Sequence, residues 1–353
     1  IWLITLSKGR PFGFLDHNLK SGDSLLGLEN LDQLYNLSIT QTKNSISIKQ
    51  TFASQLEDLI SESLAFRENI IFHDTNLISD IDEMRLLQER SKNTTSLPKI
   101  IADVFIGLTL ESGNKHPDVS AIYPFMNQML SGDRESLKTL QDIATKSLNI
   151  DSGKNRKRKP FHWPIEFPEV FCRLARGFDA LVGNPPFLGG QKITGLLGTA
   201  YRDYLIEYVA NGKRGSADLV AYFFLRASKL ISSRGRFTFI STKTVSQGDT
   251  REVGLDQIFD SGCFVQSAIK SYEWTGQATV LVSVITITKK KPITFILDGL
   301  EVVSINSSLS SNEATIRERR KLSQNKGVCA IGSYLQGTGF YVERELAHEI
   351  LDK

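Results

Sequence analysis

The chain of 353 residues has few cysteines and lacks a long hydrophobic run. Cys172, Cys263 and Cys329 lie far apart, so the sequence predicts neither a disulfide framework nor a zinc site, and free thiols are typical of a reducing cytoplasm. No apolar stretch approaches the ~20 residues that cross a membrane. The apolar residues 1–6 lack the basic segment and the cleavage site of a signal peptide. We therefore expect a cytoplasmic globular protein without a membrane partner.

A strong charge of one sign is also lacking. Forty-two basic residues face 39 acidic ones, and the net charge of +3 permits nucleic-acid binding without indicating it. The five histidines are scattered and do not have the spacing of metal ligands, so no metal site is predicted. A chain of this length can hold two or three domains.

The most informative segment is an apolar run, residues 178–183, followed by Asn-Pro-Pro-Phe. The run predicts a short buried strand, and Pro185 and Pro186 must end it because they have no N–H to donate. The loop therefore lies at the carboxyl end of a strand, where open α/β sheets bind ligands. Asn184 and a carbonyl fixed by the proline rings offer two acceptors for an exocyclic amino group, and Phe187 offers a face for its base. The alternative is a proline-terminated strand with a surface Phe.

The remaining segments predict an α/β protein. Between about residues 30 and 155, apolar residues recur at helical spacing, which indicates an insertion of four to six helices. After the loop, a helix over 218–232 ends at Gly235, and a strand follows over 236–240, as in a doubly wound unit. Further strands are predicted over 263–269 and 278–288, forming a hairpin at the sheet edge, and over 293–296 and 301–305.

Polar side chains in three other segments are candidates for binding. Asp23 follows a strand end, where its carboxylate could accept a hydrogen bond from a ligand amino group, and a plain Asx turn is the alternative. Lys157 and Arg158 belong to a basic run that either contacts DNA phosphates or is a solvated loop. Gln247 and Arg251 either line a DNA cleft or form a salt-bridged loop.

Taken in order, these segments resemble the adenine-specific (N6) DNA methyltransferases of restriction-modification and phage-defence systems. The resemblance rests on Gly-Asp-Ser-Leu, the helical insertion, Phe-His-Trp…Glu-Phe-Pro-Glu-Val-Phe, Asn-Pro-Pro-Phe, Tyr-Phe-Phe-Leu-Arg and Gln-Gly-Asp-Thr-Arg, and it covers about residues 1–30 and 155–345. It implies a Rossmann-like sheet and transfer of a methyl group from S-adenosylmethionine to adenine N6 in double-stranded DNA. The target adenine must flip out of the duplex to be reached.

The resemblance also implies roles for particular residues. Asp23 corresponds to the motif III acid near the adenine end of the cofactor. Asn184 and the carbonyl of Pro185 accept the two N6 hydrogens within the loop that Pro186 completes, and Phe187 stacks on the flipped base. Two acceptors turn the N6 lone pair towards the methyl group at in-line attack distance, so no strong general base is needed.

Trp274 or Tyr272 is the candidate for the opposite stacking wall, with a structural aromatic as the alternative. The sequence departs from the family pattern at Lys243, where relatives commonly carry Asn. It also contains no Asp-Pro-x-x-Gly-Ser-Gly loop, the motif I that holds the cofactor. We therefore expect a sheet that is incomplete at its amino terminus and a chain that is inactive without a further portion or a defence-system subunit.

The expected organisation has four parts. Residues 1–29 and 156–310 form the methyltransferase core, residues 30–155 form the insertion, and residues 311–353 begin a target-recognition or linker region. Two other functions stay open: a catalytically inactive or split DNA-binding subunit of a defence complex, and a methyltransferase for RNA bases or protein glutamine.

Overall fold

A six-stranded mixed sheet forms the centre of the fold. The computed structural model describes residues 17–39, 49–73, 77–113, 117–153, 157–273 and 281–311. The strands are β1 Phe178–Gly183, β2 Ile231–Thr242, β3 Phe264–Glu273, β4 Leu281–Thr288, β5 Phe295–Leu297 and β6 Leu300–Val302. Their order across the sheet is β1-β2-β4-β3-β5-β6.

The strand directions bring the carboxyl ends of β1, β2, β3 and β5 to one edge of the sheet. β1 and β2 are parallel, and β4 runs antiparallel between β2 and β3. β3 therefore runs in the same direction as β1 and β2, so the residues that follow these three strands share the edge at which α/β sheets bind ligands. Among the described strands β1 and β6 are the outermost, and Val182 of β1 is 86% exposed.

Six longer helices and two short ones precede β1, and five further helices and two π-helical turns follow it in the described part of the chain. The first group comprises α1 Leu31–Asn36, α2 Lys49–Ile71, α3 Ile78–Thr94, α4 Ser96–Ser112, α5 Tyr123–Leu130 and α6 Arg134–Leu148. Two short helices, α7 Trp163–Glu166 and α8 Pro168–Phe171, lead to β1. The others are α9 Gly190–Leu197, α10 Thr199–Tyr204, α11 Leu219–Leu230, α12 Gly248–Arg251, α13 Gln257–Asp260 and the π-helical turns Leu205–Val209 and Glu252–Asp256.

Helix α11 covers the sheet beside β2. Its apolar side chains recur every three or four residues, and the Phe224 ring meets the rings of Phe237 and Phe239 edge-on at centroid distances of 5.7 and 5.4 Å. Burial of each such side chain stabilises the fold by about 1.5–3 kcal/mol. The α/β class predicted from the sequence is confirmed.

Two details of the sheet differ from the sequence prediction. The helix ends at Leu230 rather than at Gly235, because β2 already pairs at Ile231 with Phe178 before the register shifts and Ala180 pairs with Arg236. The β3–β4 hairpin is present, but β4 is not at the edge. Its β-branched residues are mostly buried, as expected for a strand in the interior of a sheet, with a neighbouring strand on each side.

The last two strands form a tight hairpin. β5 and β6 are joined by Asp298 and Gly299, whose φ angles of 51° and 85° lie in the left-handed region. Such a pair matches the twist of adjacent strands, and Asp-Gly is a favoured sequence for it. The sequence predicts both strands, shifted by a few residues.

The insertion begins and ends at one place. The Asp23 amide donates to the Lys159 carbonyl at 2.8 Å, and the Phe161 amide donates to the Leu26 carbonyl at 2.7 Å. The chain therefore leaves the Asp23 segment, forms the helices and returns beside the same segment. One cluster of buried hydrophobic residues extends from these helices to the sheet, so the two parts share a core.

Candidate active site

The Asn-Pro-Pro-Phe loop follows β1 directly, as predicted. Residues 184–189 have no regular secondary structure, and α9 begins at Gly190. Asn184 is exposed, Pro185 is buried and Phe187 is 40% exposed. No described residue donates a hydrogen bond to the Asn184 side chain or to the Pro185 carbonyl. Both acceptors are therefore available to a ligand.

Asp218, the N-cap residue of α11, holds the loop in place. Asp218 Oδ1 accepts hydrogen bonds from the Leu188 amide at 3.2 Å and from the Val220 amide at 3.0 Å. The Leu219 amide donates to the Leu188 carbonyl at 2.9 Å. At Gly190 a Cβ atom would lie 2.4 Å from the Ser216 backbone, so only glycine permits this approach. The loop is therefore fixed by backbone contacts on its carboxyl side.

A cavity of about 350 Å³ lies beside the loop. Its walls are mostly apolar, and its size is in the range of small-molecule sites. The lining includes Ser24, Trp163, Asn184, Pro185 and Arg226. The cavity therefore joins the Asp23 segment, the strand-end loop and α11.

Asp23 forms an Asx turn, which the sequence leaves open as the alternative. Its Oδ1 accepts from the amides of Leu25 at 3.1 Å and Leu26 at 3.3 Å, and from the Tyr201 hydroxyl at 3.0 Å. Burial raises the pKa of Asp23, although these three donors oppose the shift. No described residue donates to Oδ2, so the turn leaves one carboxylate oxygen for a ligand.

Arg226 holds the Asp23 turn through a hydrogen bond to its backbone. It is only 3% exposed, and its Nη2 donates to the Leu25 carbonyl at 2.7 Å. Burial alone would lower the pKa of Arg226, but the ion pair with Glu29 raises it. Its Nε has no hydrogen-bond partner in the described part of the chain, although the side chain lines the cavity. Arg226 thus orients the turn and leaves a buried donor beside the cavity.

The Gln-Gly-Asp-Thr-Arg segment follows β2 at the same edge. Arg251 donates to Asp256 at 3.3 Å and to Ser308 at 3.2 Å, an arrangement that favours the salt-bridged loop over a DNA contact. The Thr250 hydroxyl accepts from the Asp218 amide at 3.1 Å. This contact ties the segment to the residue that anchors the loop. Gln247 is exposed.

Arg158 has structural partners. Its guanidinium donates to the carbonyls of Leu148 at 2.9 Å, Ile150 at 2.6 Å and Leu197 at 2.7 Å. It also lies 5.7 Å from the ring centre of Tyr201. These contacts join α6, α9 and α10, so they favour a packing role for Arg158 over a contact with DNA.

The other predicted residues are less constrained. Lys157 is exposed, and Lys243 begins a 3₁₀ turn, Lys243–Ser246, directly after β2. Tyr272 is exposed near the carboxyl end of β3, the edge that also carries the loop. Trp274 lies outside the described residues. No described helix is long and apolar enough to span a membrane, and no metal-binding group of His, Cys, Asp or Glu occurs in the described ranges.

The model of the Eco57I restriction-modification methylase family matches residues 32–260, more than half of the chain. The chain belongs to this family. The match includes the insertion helices from α1 onwards, the Asn184 loop, Asp218 and α13. The match thus includes the segments of the sequence resemblance from the insertion to Gln-Gly-Asp-Thr-Arg, whereas Gly-Asp-Ser-Leu precedes it.

Two curated relatives match shorter stretches. DNA methyltransferase A of Bacillus subtilis is 24% identical over 132 residues, which are 35% of this chain and 14% of that protein. A putative type II restriction enzyme and methyltransferase of Methanocaldococcus jannaschii is 26% identical over 148 residues, 40% of this chain and 12% of that protein. The aligned stretches thus span a small part of the length of these relatives.

A solved structure of the type IIL restriction-modification enzyme MmeI in complex with DNA is similar over 76% of this chain and 41% of that chain. The TM-score is 0.37 and the sequence identity is 18%.

Sequence reasoning missed Asp218, Tyr201 and Arg226 as parts of this site. An Asp directly before an apolar helical run is a sequence signal for a helix N-cap, so the cap of α11 could have been predicted. Its bond to Leu188 and the contacts of the other two residues join segments 30 to 200 residues apart in sequence. No local pattern indicates such contacts.

Proposed function

We propose that the protein is a restriction-modification DNA methyltransferase that transfers a methyl group from S-adenosylmethionine to adenine N6. The observation that carries the proposal is the Asn184 amide and the Pro185 carbonyl, both without partners in the described structure, next to the exposed Phe187 ring. Membership of a methylase family supports it. The proposed substrate is duplex DNA with a flipped adenine, in a cytoplasmic modification or phage-defence system.

The mechanism follows from the acceptors. Asn184 Oδ1 and the Pro185 carbonyl each accept one hydrogen of the adenine N6 group. Both bonds draw the N6 lone pair out of conjugation with the ring and direct it away from the loop, and the surplus proton leaves after transfer. Phe187 stacks on the flipped base, a contact worth roughly 1–3 kcal/mol. The Asp218 anchor holds the backbone of the loop, so the Pro185 carbonyl needs little reorganisation during the reaction.

The residues around the cavity fit a cofactor with an adenosine and an amino-acid end. Trp163 offers an aromatic surface and Arg226 a buried Nε donor without a partner in the described part of the chain. Asp23 precedes the lining residue Ser24, and its free carboxylate oxygen suits an amino group. S-adenosylmethionine supplies an electrophilic methyl group when bound. We propose that further cofactor contacts come from a glycine-rich segment that these 353 residues do not contain. That segment belongs either to the same polypeptide or to a separate one.

We also retain the proposed organisation: a methyltransferase core of residues 1–29 and 156–310, an insertion of residues 30–155, and a target-recognition or linker region from residue 311. Gln247, Tyr272, Trp274 and Lys157 remain proposed DNA contacts. Shared core packing between insertion and sheet indicates that the insertion positions the core rather than acting as a loosely tethered module.

The test is the Asn184→Ala variant of the intact enzyme. We expect methyl transfer to fall by more than tenfold, a loss above ~1.4 kcal/mol, with little change in DNA affinity because the amide acts mainly on the transition state. Labelled S-adenosylmethionine gives the rate, and nucleoside analysis shows whether the product is N6-methyladenine. The control is Asn93→Ala, an exposed asparagine of α3. A variant rate above a tenth of wild type, or a methylated product other than N6-methyladenine, contradicts the proposal.

A further inference from the structure

A second cavity, of about 450 Å³, lies on the other side of helix α7. Trp163 at the start of α7 lines the first cavity, whereas Ile165 and Glu166 at its end line the second. Helices α3 and α4 of the insertion and residues 19–21 complete the walls. The second cavity is therefore a separate space at the junction of insertion and core.

Basic side chains outnumber acidic ones around this cavity. Five cations line it: Lys20, Arg67, Lys92, Lys99 and Lys159. Glu166 forms ion pairs with Lys20 and Lys99, and Arg67 is paired with Glu169 just outside the lining. Asp103 is the other lining carboxylate and contacts His162. Five cations thus face three carboxylates, and the cavity keeps a positive excess.

The protonation of Lys20 reflects this environment. Burial lowers the pKa of Lys20, the nearby Glu166 opposes the shift, and the positive charges of Arg67 and Lys99 add to the lowering. An ammonium group in such a position is stabilised when an anion enters. Glu166 does not offset the lowering of the Lys20 pKa completely.

Two exposed lysines at this cavity can reach a ligand. Lys159 Nζ donates to Ser21 Oγ at 2.8 Å, which uses one of its three donors, and Lys92 is exposed at the end of α3. Ammonium groups on flexible stems are common phosphate binders. No described residue that lines the cavity is aromatic, so the site offers no surface on which a nucleobase could stack. The donors suit a compact oxyanion.

We propose that this cavity binds a phosphate group, with Lys92 and Lys159 as direct contacts. The group is a backbone phosphate of the DNA substrate or a free phosphate ion, which share the same oxyanion chemistry. The expected source is DNA, because Lys159 ends the basic run that leads back to the Asp23 turn. This assignment of the source rests on the proposed function, whereas phosphate binding itself does not.

The first experiment measures phosphate binding without DNA or methyl transfer. Thermal unfolding of the protein is followed in sodium phosphate and in sodium chloride of equal ionic strength. Phosphate also stabilises proteins non-specifically, so the decisive quantity is the difference between variants. We expect a saturable rise in Tm at millimolar phosphate. In the double variant Lys92→Gln/Lys159→Gln, we expect the apparent Kd for phosphate to increase at least tenfold.

The matched control is Lys138→Gln, which removes an exposed lysine of the same charge from α6, away from the cavity. We expect this variant to respond to phosphate as wild type does. An equal response of the double variant, or the absence of a phosphate-specific response in wild type, overturns the proposal. Circular dichroism of the double variant before heating verifies that it is folded.

The second experiment identifies the source of the phosphate group. Affinity for a DNA duplex is measured at several salt concentrations, and the slope of log K against log salt counts the phosphates that are neutralised. For a DNA source, we expect the slope to fall by about 0.9 for each lysine contact removed. If the double variant has the slope of wild type, the phosphate group does not come from DNA. Together with a phosphate-specific rise in Tm, this result assigns the site to free phosphate. This result is independent of whether the protein methylates adenine.

Discussion

At the scale of single residues, the two acceptors of the loop differ in how they are held. The Pro185 carbonyl is fixed by the backbone, since its own ring and the following ring restrict rotation. The Asn184 amide is exposed, and no described residue fixes its rotation. We infer that the backbone acceptor is preorganised, whereas the amide adopts its reactive orientation when adenine enters.

Phe187 is the residue whose role is tested most directly by substitution. We expect Phe187→Ala to weaken capture of the flipped adenine by roughly 1–3 kcal/mol, whereas Phe187→Tyr and Phe187→Trp retain a stacking face. A 2-aminopurine at the target position reports flipping by its fluorescence. The control is Phe125→Ala, a similarly exposed ring on α5 (38% against 40%). Equal flipping signals and rates for Phe187→Ala and wild type would make the ring a packing residue.

Local sequence could predict some of these residues and not others. The prolines predict the end of β1 and the position of Asn184, because a residue without an N–H cannot donate to the neighbouring strand, whatever the rest of the fold is. The packing role of Arg158 could not be predicted, since its acceptors are carbonyls at the end of α6 (Leu148), in the turn after it (Ile150) and at the end of α9 (Leu197). A basic side chain in a basic run has the same local pattern whether it contacts carbonyls or DNA.

At the scale of elements, α11 connects the parts of the site. Its N-cap Asp218 holds the loop after β1, the Asp218 amide contacts Thr250 after β2, and Arg226 one turn before its end holds the Asp23 turn. The helix itself could be predicted from the apolar spacing. Its junction with β2 could not, because the pairing of Ile231 with Phe178 decides where helix ends and strand begins.

The contact between α11 and the loop gives an element-level prediction. We expect Asp218→Ala to lower kcat by about 10–100-fold with little change in KM for DNA, because a displaced loop misplaces both acceptors. Asp218→Asn should restore most of the activity, since its Oδ1 can still accept from the Leu188 and Val220 amides. Steady-state kinetics with DNA as the varied substrate separates the two constants.

The control for this variant is Asp133→Ala, which removes the corresponding cap of α6, where Asp133 accepts from the Ser136 amide at 2.9 Å. Both changes remove a helix cap, so both are expected to lower the unfolding temperature. Only the Asp218 variant should lose kcat. A parallel loss of kcat in both variants would show a general effect of stability instead of loop positioning.

At the scale of the whole molecule, the insertion is joined to the sheet at its two ends and through its core. The Asp23 segment pairs with residues 159–163, and one hydrophobic cluster includes α4 together with β2 and β4. The sequence predicts that the insertion is helical but not how it packs against the sheet. The apolar spacing of a helix shows which face is buried and not which element covers that face. The family match across both parts agrees with a single inherited arrangement.

One buried ion pair fixes this arrangement and gives the last prediction. Arg67 of α2 is 1% exposed, pairs with Glu169 of α8 and donates to the His17 carbonyl at 3.1 Å. Since removal of one partner leaves a buried charge uncompensated, we expect Glu169→Gln to lower the free energy of unfolding by about 3–5 kcal/mol. Urea denaturation followed by circular dichroism gives this value, and hydrogen exchange shows whether α2 and β1 lose protection together.

The control for Glu169→Gln is Asp82→Asn, which breaks the exposed ion pair with Arg85 and should change the urea midpoint little. If Glu169→Gln shifts the midpoint no more than Asp82→Asn does, the pair does not hold the insertion against the core, and hydrophobic packing and the remaining polar contacts must account for the docking.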